Sequence, residues 1–349
     1  MNVTNATIRT SLRLRSVLLA VLALLLSSTM NNSVIRAADS QPGGLLIVAN
    51  KGEHTMGIID TVAGKQIATL PEDAFTGHEL VASQDGKRAF VPIYGNSGVG
   101  HPGTDGSIIR VYDIPNRKLA GTIDFGKGVR PHCAVVNPKS GMIYVTTELE
   151  NAIAIIDPIT LKIVGSVPTD QAESHMLAIS SDGRRGYTAN VGPGTVSVLD
   201  LPAKKVLAVI PVAHVTQRIA LSPDDRWAFT ADQTKPQLAV IDTKTNAVVR
   251  WIPLPGVGYG AAATPDGRWL LIAIPKEKKV AAIDLQSMEV ARTFDVPKSP
   301  QEVLVRPDGL EAYVSCDASH QVAVLGLQSW SVTKLIDAGA GVDGLAWAK

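Results

Sequence analysis

The later part of the chain repeats itself every 42 residues, and few folds accommodate that. Turns ending in Gly or Asp recur at Gly183, Asp225, Gly267 and Gly309, each 42 residues after the last. A second column of strand-ending positions runs Asp60, Asp113, Asp157, Asp200, Asp242, Asp284 and then Gly326, which makes seven units. A step of about 40–45 residues is the period of a four-stranded propeller blade. Within one unit, MLAIS (176–180), GYTAN (186–190), TVSVLD (195–200) and KVLAVI (205–210) are short runs rich in β-branched and aromatic residues, separated by Gly, Pro, Asp and Lys. That pattern predicts four strands. No stretch after the first 38 residues keeps a helical period, so the predicted fold is all-β: a seven-bladed β-propeller of four-stranded blades.

The ends predict how the ring closes. GLAWA (344–348) matches an innermost first strand, and LLIVAN (45–50) matches a second strand. One blade shared between the termini would leave no unpaired radial edge.

Residues 1–38 read differently from the rest. Arg9, Arg13 and Arg15 precede an apolar run at Val17–Leu26, then small polar residues follow. This is the pattern of a signal peptide, with an apolar run too short to span a bilayer. Residues 39–349 are expected to form one propeller domain, periplasmic or secreted, with no integral membrane span after cleavage. The whole chain has 33 Lys+Arg and 32 Asp+Glu, but residues 1–38 hold four of the arginines and no acid. The remainder is mildly acidic, which gives no electrostatic reason to bind nucleic acid.

IVAN (47–50), YVTT (144–147), YTAN (187–190), FTAD (229–232) and YVSC (313–316) recur at matching places in the repeat. On these stretches the chain resembles the YVTN-motif β-propeller family over essentially all of residues 39–349. The resemblance implies a seven-bladed propeller in an extracytoplasmic setting. It implies no reaction, because one fold hosts many functions.

Most residues that look chemical have a structural reading. The strand-ending aspartates are expected to accept backbone N–H groups two residues on and to fix the next turn. GVGHPG (98–103) matches G-x-G-x-x-G without a strand–turn–helix context, so no nucleotide cofactor is expected. Cys133 and Cys316 sit on well-separated units, either as buried thiols or as a disulfide pair.

One column resists that reading. His175 lies fifteen residues before Asn190, and the same offset in each unit gives His78, His132, His175, Gln217, Tyr259, Gln301 and Asp343. Each stands where an innermost strand begins, at one end of the central channel. Asp343, His78, His132 and His175 are consecutive around the ring, and the later units carry Gln, Tyr and Gln, so the repeat alone does not explain the histidines. Three imidazoles and a carboxylate suit a metal: Zn, Cu, Fe or Ni. Asn190, Asp232, Arg130 and Glu173 fall on the same face, and Glu79, Arg218 and Glu302 flank the column. The loop Tyr94–Gly106 is ten residues longer than its counterparts, carries His101 and Asp105, and reads as a lid.

Three functions follow as expectations. The first is a propeller that binds a metal ion or small-molecule ligand at this channel mouth. The second is a metal-assisted hydrolase or lyase, because related-looking propellers include lactonases and streptogramin B lyases; His78, His132 and His175 are then the candidate bases. The third is a scaffold for a protein partner. Metal held by these histidines should weaken as pH falls through about 6–6.5.

Overall fold

The computed structural model describes residues 43–348. The predicted signal peptide at 1–38 lies outside the described residues. Residues from Gly44 onward form one compact unit of seven four-stranded antiparallel sheets, the seven blades of a β-propeller. The other regular structure among the described residues is two short 3-10 turns, Glu148–Glu150 and Asp317–Ser319.

Blade 1 is the shared blade. Its strands run Val342–Ala348, Leu45–Asn50, Thr55–Asp60 and Lys65–Pro71, from the channel outward. Leu45 pairs with Ala348 and Val48 with Leu345, so the last strand closes the ring against the first. Blades 2 to 7 follow in chain order, with innermost strands Val81–Ala82, Pro131–Val136, Ser174–Ile179, Ala220–Leu221, Ala261–Ala263 and Pro300–Val305. The unit read from sequence is blade 4, whose strands are Ser174–Ile179, Arg185–Asn190, Thr195–Asp200 and Lys205–Pro211.

Burial follows the layers. The second and third strands of each blade lie between neighbouring blades and are buried along most of their length, as in Trp269–Ile274 and Leu46–Asn50. Apolar clusters accordingly join consecutive blades: Leu271, Val280 and Phe294 of blade 6 pack with Val303, Val314 and Leu325 of blade 7. Each such side chain taken fully from water contributes about 1.5–3 kcal/mol. Outermost strands face solvent and alternate, as in Lys205–Pro211.

The strand-ending aspartates are turn residues. Asp60 Oδ1 accepts from the amides of Val62 and Ala63, and Asp157, Asp242 and Asp284 repeat the arrangement. Cys133 and Cys316 are both buried free thiols, so there is no disulfide between them.

Candidate functional site

The column of seven residues owes its geometry to a backbone irregularity repeated around the ring. In blade 4, Ser174 pairs with Asn190 and Met176 with Ala189, which leaves His175 as an extra residue in the ladder. The same register shift falls between Pro131 and Ala134, between Pro300 and Val303, and opposite Val48 and Asn50 in the closing strand. A bulge re-aims side chains. Here two successive residues of the inner strand serve the channel instead of one. The first set is the column itself; the second comprises Glu79, Cys133, Met176, Arg218, Gly260, Glu302 and Gly344. The second strand secures the bulge: the Thr146 hydroxyl accepts from the Cys133 amide and donates to the His175 carbonyl, at 2.9 Å each. Gly344 is required because its amide donates to the His78 carbonyl at 3.0 Å, and a Cβ there would lie 2.4 Å from that oxygen.

Six of the first set, all but Gln301, line a cavity of about 190 Å³ together with Lys51, Tyr94 and Arg218. Ser97, Gly98 and Val99, from the long loop, complete its wall. The His132 and His175 rings stack, with centroids 3.6 Å apart and planes 28° apart. His78 is 5.4 Å from His132, and the Tyr94 ring meets both His132 and His175 edge-on. Asp343 Oδ2 lies 3.2 Å from Lys51 Nζ and 3.7 Å from His78 Nδ1.

Burial drives all three imidazoles toward the neutral form. His78 is pushed down to about 4, burial outweighing the nearby Asp343 carboxylate. His132 falls well below the ordinary value, by burial and by its two neighbouring histidines. His175 is also lowered by burial, against the opposing pull of Glu148, whose Oε2 is 3.5 Å from His175 Nδ1. Any proton-linked loss of binding at these histidines therefore moves below the pH 6–6.5 window expected from unperturbed histidine.

The loop is fastened to this cluster by Arg130. Its guanidinium donates to Asp105 Oδ1 at 2.6 Å, to the His101 carbonyl at 2.8 Å and to the Gly98 carbonyl at 3.3 Å. Arg130 also lies 3.4 Å from Glu148 Oε1, and the Tyr94 hydroxyl donates to Glu148 Oε2 at 2.7 Å. Burial pushes Glu148 upward, but the contacts from His175, Tyr94 and Arg130 outweigh it, and the carboxyl ends below its usual range. A continuous chain of contacts thus joins the loop to His175.

Seven of the residues singled out from sequence line the cavity together: His78, His132, His175, Gln217, Arg218, Tyr259 and Asp343. The others have different roles. Gln301 donates to Ser299 Oγ at 2.9 Å and is not in the cavity wall. Asn190 bonds Ser174, Thr188, Thr195 and Ser197 inside its own blade. Asp232 caps a turn by accepting from Thr234 and Gln237. His101, Glu173 and Arg130 line a separate cleft on the outer side of the loop. Sequence reasoning passed over Tyr94, Lys51 and Glu148. Lys51, Tyr94 and Glu148 each stand one residue after Asn50, Ile93 and Thr147, the positions equivalent to Asn190 and Asp232, and that shared placement was the available signal.

The metal expectation meets a geometric obstacle. Among the described residues no three His, Cys, Asp or Glu side chains are placed to hold a metal ion together. Imidazole lone pairs lie in the ring plane, so two stacked rings cannot aim at one ion between them without rotating.

Fold and site together define a β-propeller with a polar cavity at one end of its channel. A family model described as the cytochrome D1 heme domain matches residues 139–264. This stretch includes His175, Arg218 and Tyr259 but neither His78 nor His132. No curated protein matches the chain. Among solved structures, hydrazine synthase of Kuenenia stuttgartiensis is similar with a TM-score of 0.70 and 18% identity, over 84% of this chain and 98% of that one. Dihydro-heme d1 dehydrogenase NirN, solved in complex with DHE, is similar with a TM-score of 0.63 and 16% identity, over 88% of this chain and 76% of that one. At such identities the likeness is one of fold. The propeller expected from the YVTN resemblance is present, while the family model that matches is a different one. No helix among the described residues is long and apolar enough to cross a membrane.

Proposed function

We propose that this chain is a ligand-binding propeller outside the cytoplasm, and that its site is the polar cavity beneath the Tyr94–Gly106 loop. One observation carries the reading. Nine buried side-chain polar atoms make no hydrogen bond among the described residues, and five belong to the walls of this one cavity: Ser97 Oγ, His132 Nδ1, His175 Nδ1, Arg218 Nε and Asp343 Oδ1, of which His175 and Asp343 have only long ionic contacts, to Glu148 at 3.5 Å and Arg218 at 3.7 Å. Each such group costs about 1–3 kcal/mol if nothing meets it. Their concentration in one small space supports a bound polar molecule that offers both donors and acceptors.

The partial match to a heme domain makes heme the first ligand to consider. The cavity is too small for it. Pockets for drug-sized ligands occupy about 300–1,000 Å³, the cavity offers about 190 Å³, and a tetrapyrrole is larger than most drugs. The stacked faces of His132 and His175 also shield each other. The residues present favour a smaller ligand.

The test uses protein purified without a histidine tag. Denaturation should release a small polar organic compound at close to one per chain, measured by mass spectrometry. The double substitution His132→Phe/His175→Phe should abolish it. Metal content and heme absorbance are read on the same sample. Stoichiometric heme or metal, or no released compound together with unchanged melting in the double variant, would overturn the reading. Replacing Asn96–Thr104 by a two-residue turn should speed ligand loss while changing stability little, since loop length alone costs little entropy. A large stability loss there would make the loop structural packing instead.

A further inference from the structure

The channel does not end at the histidines. Arg218 crosses it and donates from Nη1 to Glu79 Oε1 at 2.5 Å and to Glu302 Oε2 at 2.7 Å. These three residues form a layer beneath the polar cavity. On its other side lies a second chamber of about 280 Å³, whose walls include Leu80, Cys133, Leu177, Leu304, Leu345 and Trp347, with Glu79 and Glu302 at one end. The walls come from the innermost strands of six blades. Val81, Val135, Ile219, Leu304 and Trp347 keep part of their surface in solvent, so the chamber is reachable from outside.

Fully ionised, the layer does not balance: one guanidinium faces two carboxyl groups, with side chains only 5%, 8% and 19% exposed for Arg218, Glu79 and Glu302. Burial lifts Glu302 to about 8, so near neutral pH this carboxyl holds a proton that an arriving cation would replace. The nearby Asp343 adds no cation, and its oxygen is 3.7 Å from Arg218 Nη2 while its other partners are Lys51 and His78. A buried carboxylate in excess of its partners is costly in a low-dielectric setting. A cation arriving from the apolar side would restore balance, and its hydrocarbon would meet apolar walls at about 0.8 kcal/mol per buried CH₂.

We propose that the lower chamber is a second binding site, for a short-chain primary alkylamine or similar monovalent organic cation. Its ammonium group joins the Glu79–Arg218–Glu302 layer and its hydrocarbon body lies against Leu80, Leu177, Leu304 and Trp347. This site is separate from the histidine cavity and stands or falls independently of it.

Calorimetric titration of the full chain with n-butylammonium tests the proposal, with n-butanol and ammonium as controls. Saturable binding of n-butylammonium is expected, with each control at least about tenfold weaker, the separation that one lost charge contact or one lost hydrocarbon body produces. Glu302→Gln keeps the shape of the layer, removes the excess carboxylate, and should weaken n-butylammonium about tenfold. Absence of saturable binding, equal binding of n-butanol, or unchanged affinity in Glu302→Gln would each overturn the proposal. Any of these would leave a chamber holding water and a protonated carboxyl group.

Discussion

The two halves of the ring share a backbone and differ in what they leave unpaired. In blades 1 to 4, the column places Asp343, His78, His132 and His175 around a cavity, and three of these four side chains keep a polar atom without a hydrogen bond. In blades 5 to 7, Gln217 donates to the Tyr259 hydroxyl at 3.0 Å and Gln301 bonds Ser299 beside it, so the polar groups of these positions find protein partners. The bulge that aims the residues is common to both halves, as His175 and Gln301 show. The propeller scaffold therefore sets direction, and residue choice at one position decides whether that direction becomes a site. The long loop lies over the histidine half, with Ser97–Val99 against His78, His132 and His175.

Arg218 joins the halves, so its removal should have the largest effect. It starts in blade 5 and reaches Glu79 of blade 2 and Glu302 of blade 7. It also lies over the Tyr259 ring at 4.4 Å. Arg218→Met leaves two buried carboxylates without their cation, and breaking such a pair costs about 3–5 kcal/mol. Denaturant unfolding should show that loss, and Arg218→Met/Glu79→Gln/Glu302→Gln should recover most of it. A loss in Arg218→Met no larger than about 1 kcal/mol would mean that the layer is solvated and the halves are not coupled through it.

The histidine half should also carry its own pH dependence. The folded-state values of His78, His132 and His175 lie below those of an unfolded chain, with His78 near 4. Between about pH 6.5 and 4 the unfolded chain then binds protons that the folded chain refuses. Stability contributed by these neutral histidines is present above about pH 6.5 and is lost as pH falls toward 4. Glu148, Asp343, Lys51 and Arg218 face the same rings, and three raised carboxyls oppose the trend: burial lifts Glu302 to about 8, Glu72 to about 7, and Glu79 as well. Comparison with a variant cancels those carboxyls. The melting temperature of His78→Asn/His132→Asn/His175→Asn should lie furthest below wild type at pH 7–8, with the gap closing by pH 4.5. A gap that is constant with pH would mean the rings titrate normally.

The sequence made the fold legible because a propeller is periodic. The 42-residue step, the turn-capping aspartates and the GLAWA–LLIVAN closure are each local patterns whose meaning does not depend on distant side chains. The column was legible for the same reason. What lay beyond reading was everything the bulge adds. An extra residue in a ladder changes no composition or period, so Glu79, Arg218 and Glu302 read as neighbours of the column rather than as a second layer in the channel. Tyr94 and Glu148 belong to different blades and meet only because the ring curves, and no spacing along the chain announces that contact. Ring stacking of His132 on His175 is likewise a matter of rotamer, which is why three convergent imidazoles looked like a metal site.

The smallest expected effect lies in the other half, and it is the sharpest check on the comparison. Gln301 occupies the position equivalent to His175, yet its amide serves a neighbouring serine and stays outside the cavity. Gln301→Ala should change stability by no more than about 0.5 kcal/mol, as for a partly exposed polar side chain, and should leave the released small molecule unchanged. Gln217→Ala removes a hydrogen bond to Tyr259 and one cavity wall, so it should cost about 1 kcal/mol and reduce the ligand retained without abolishing it. Melting curves and ligand content of the two single variants, measured beside His175→Ala, rank the column directly. The expected order of ligand loss is His175, then Gln217, then Gln301. If Gln301→Ala loses ligand as completely as His175→Ala, the whole ring forms the site, and the distinction between its halves fails.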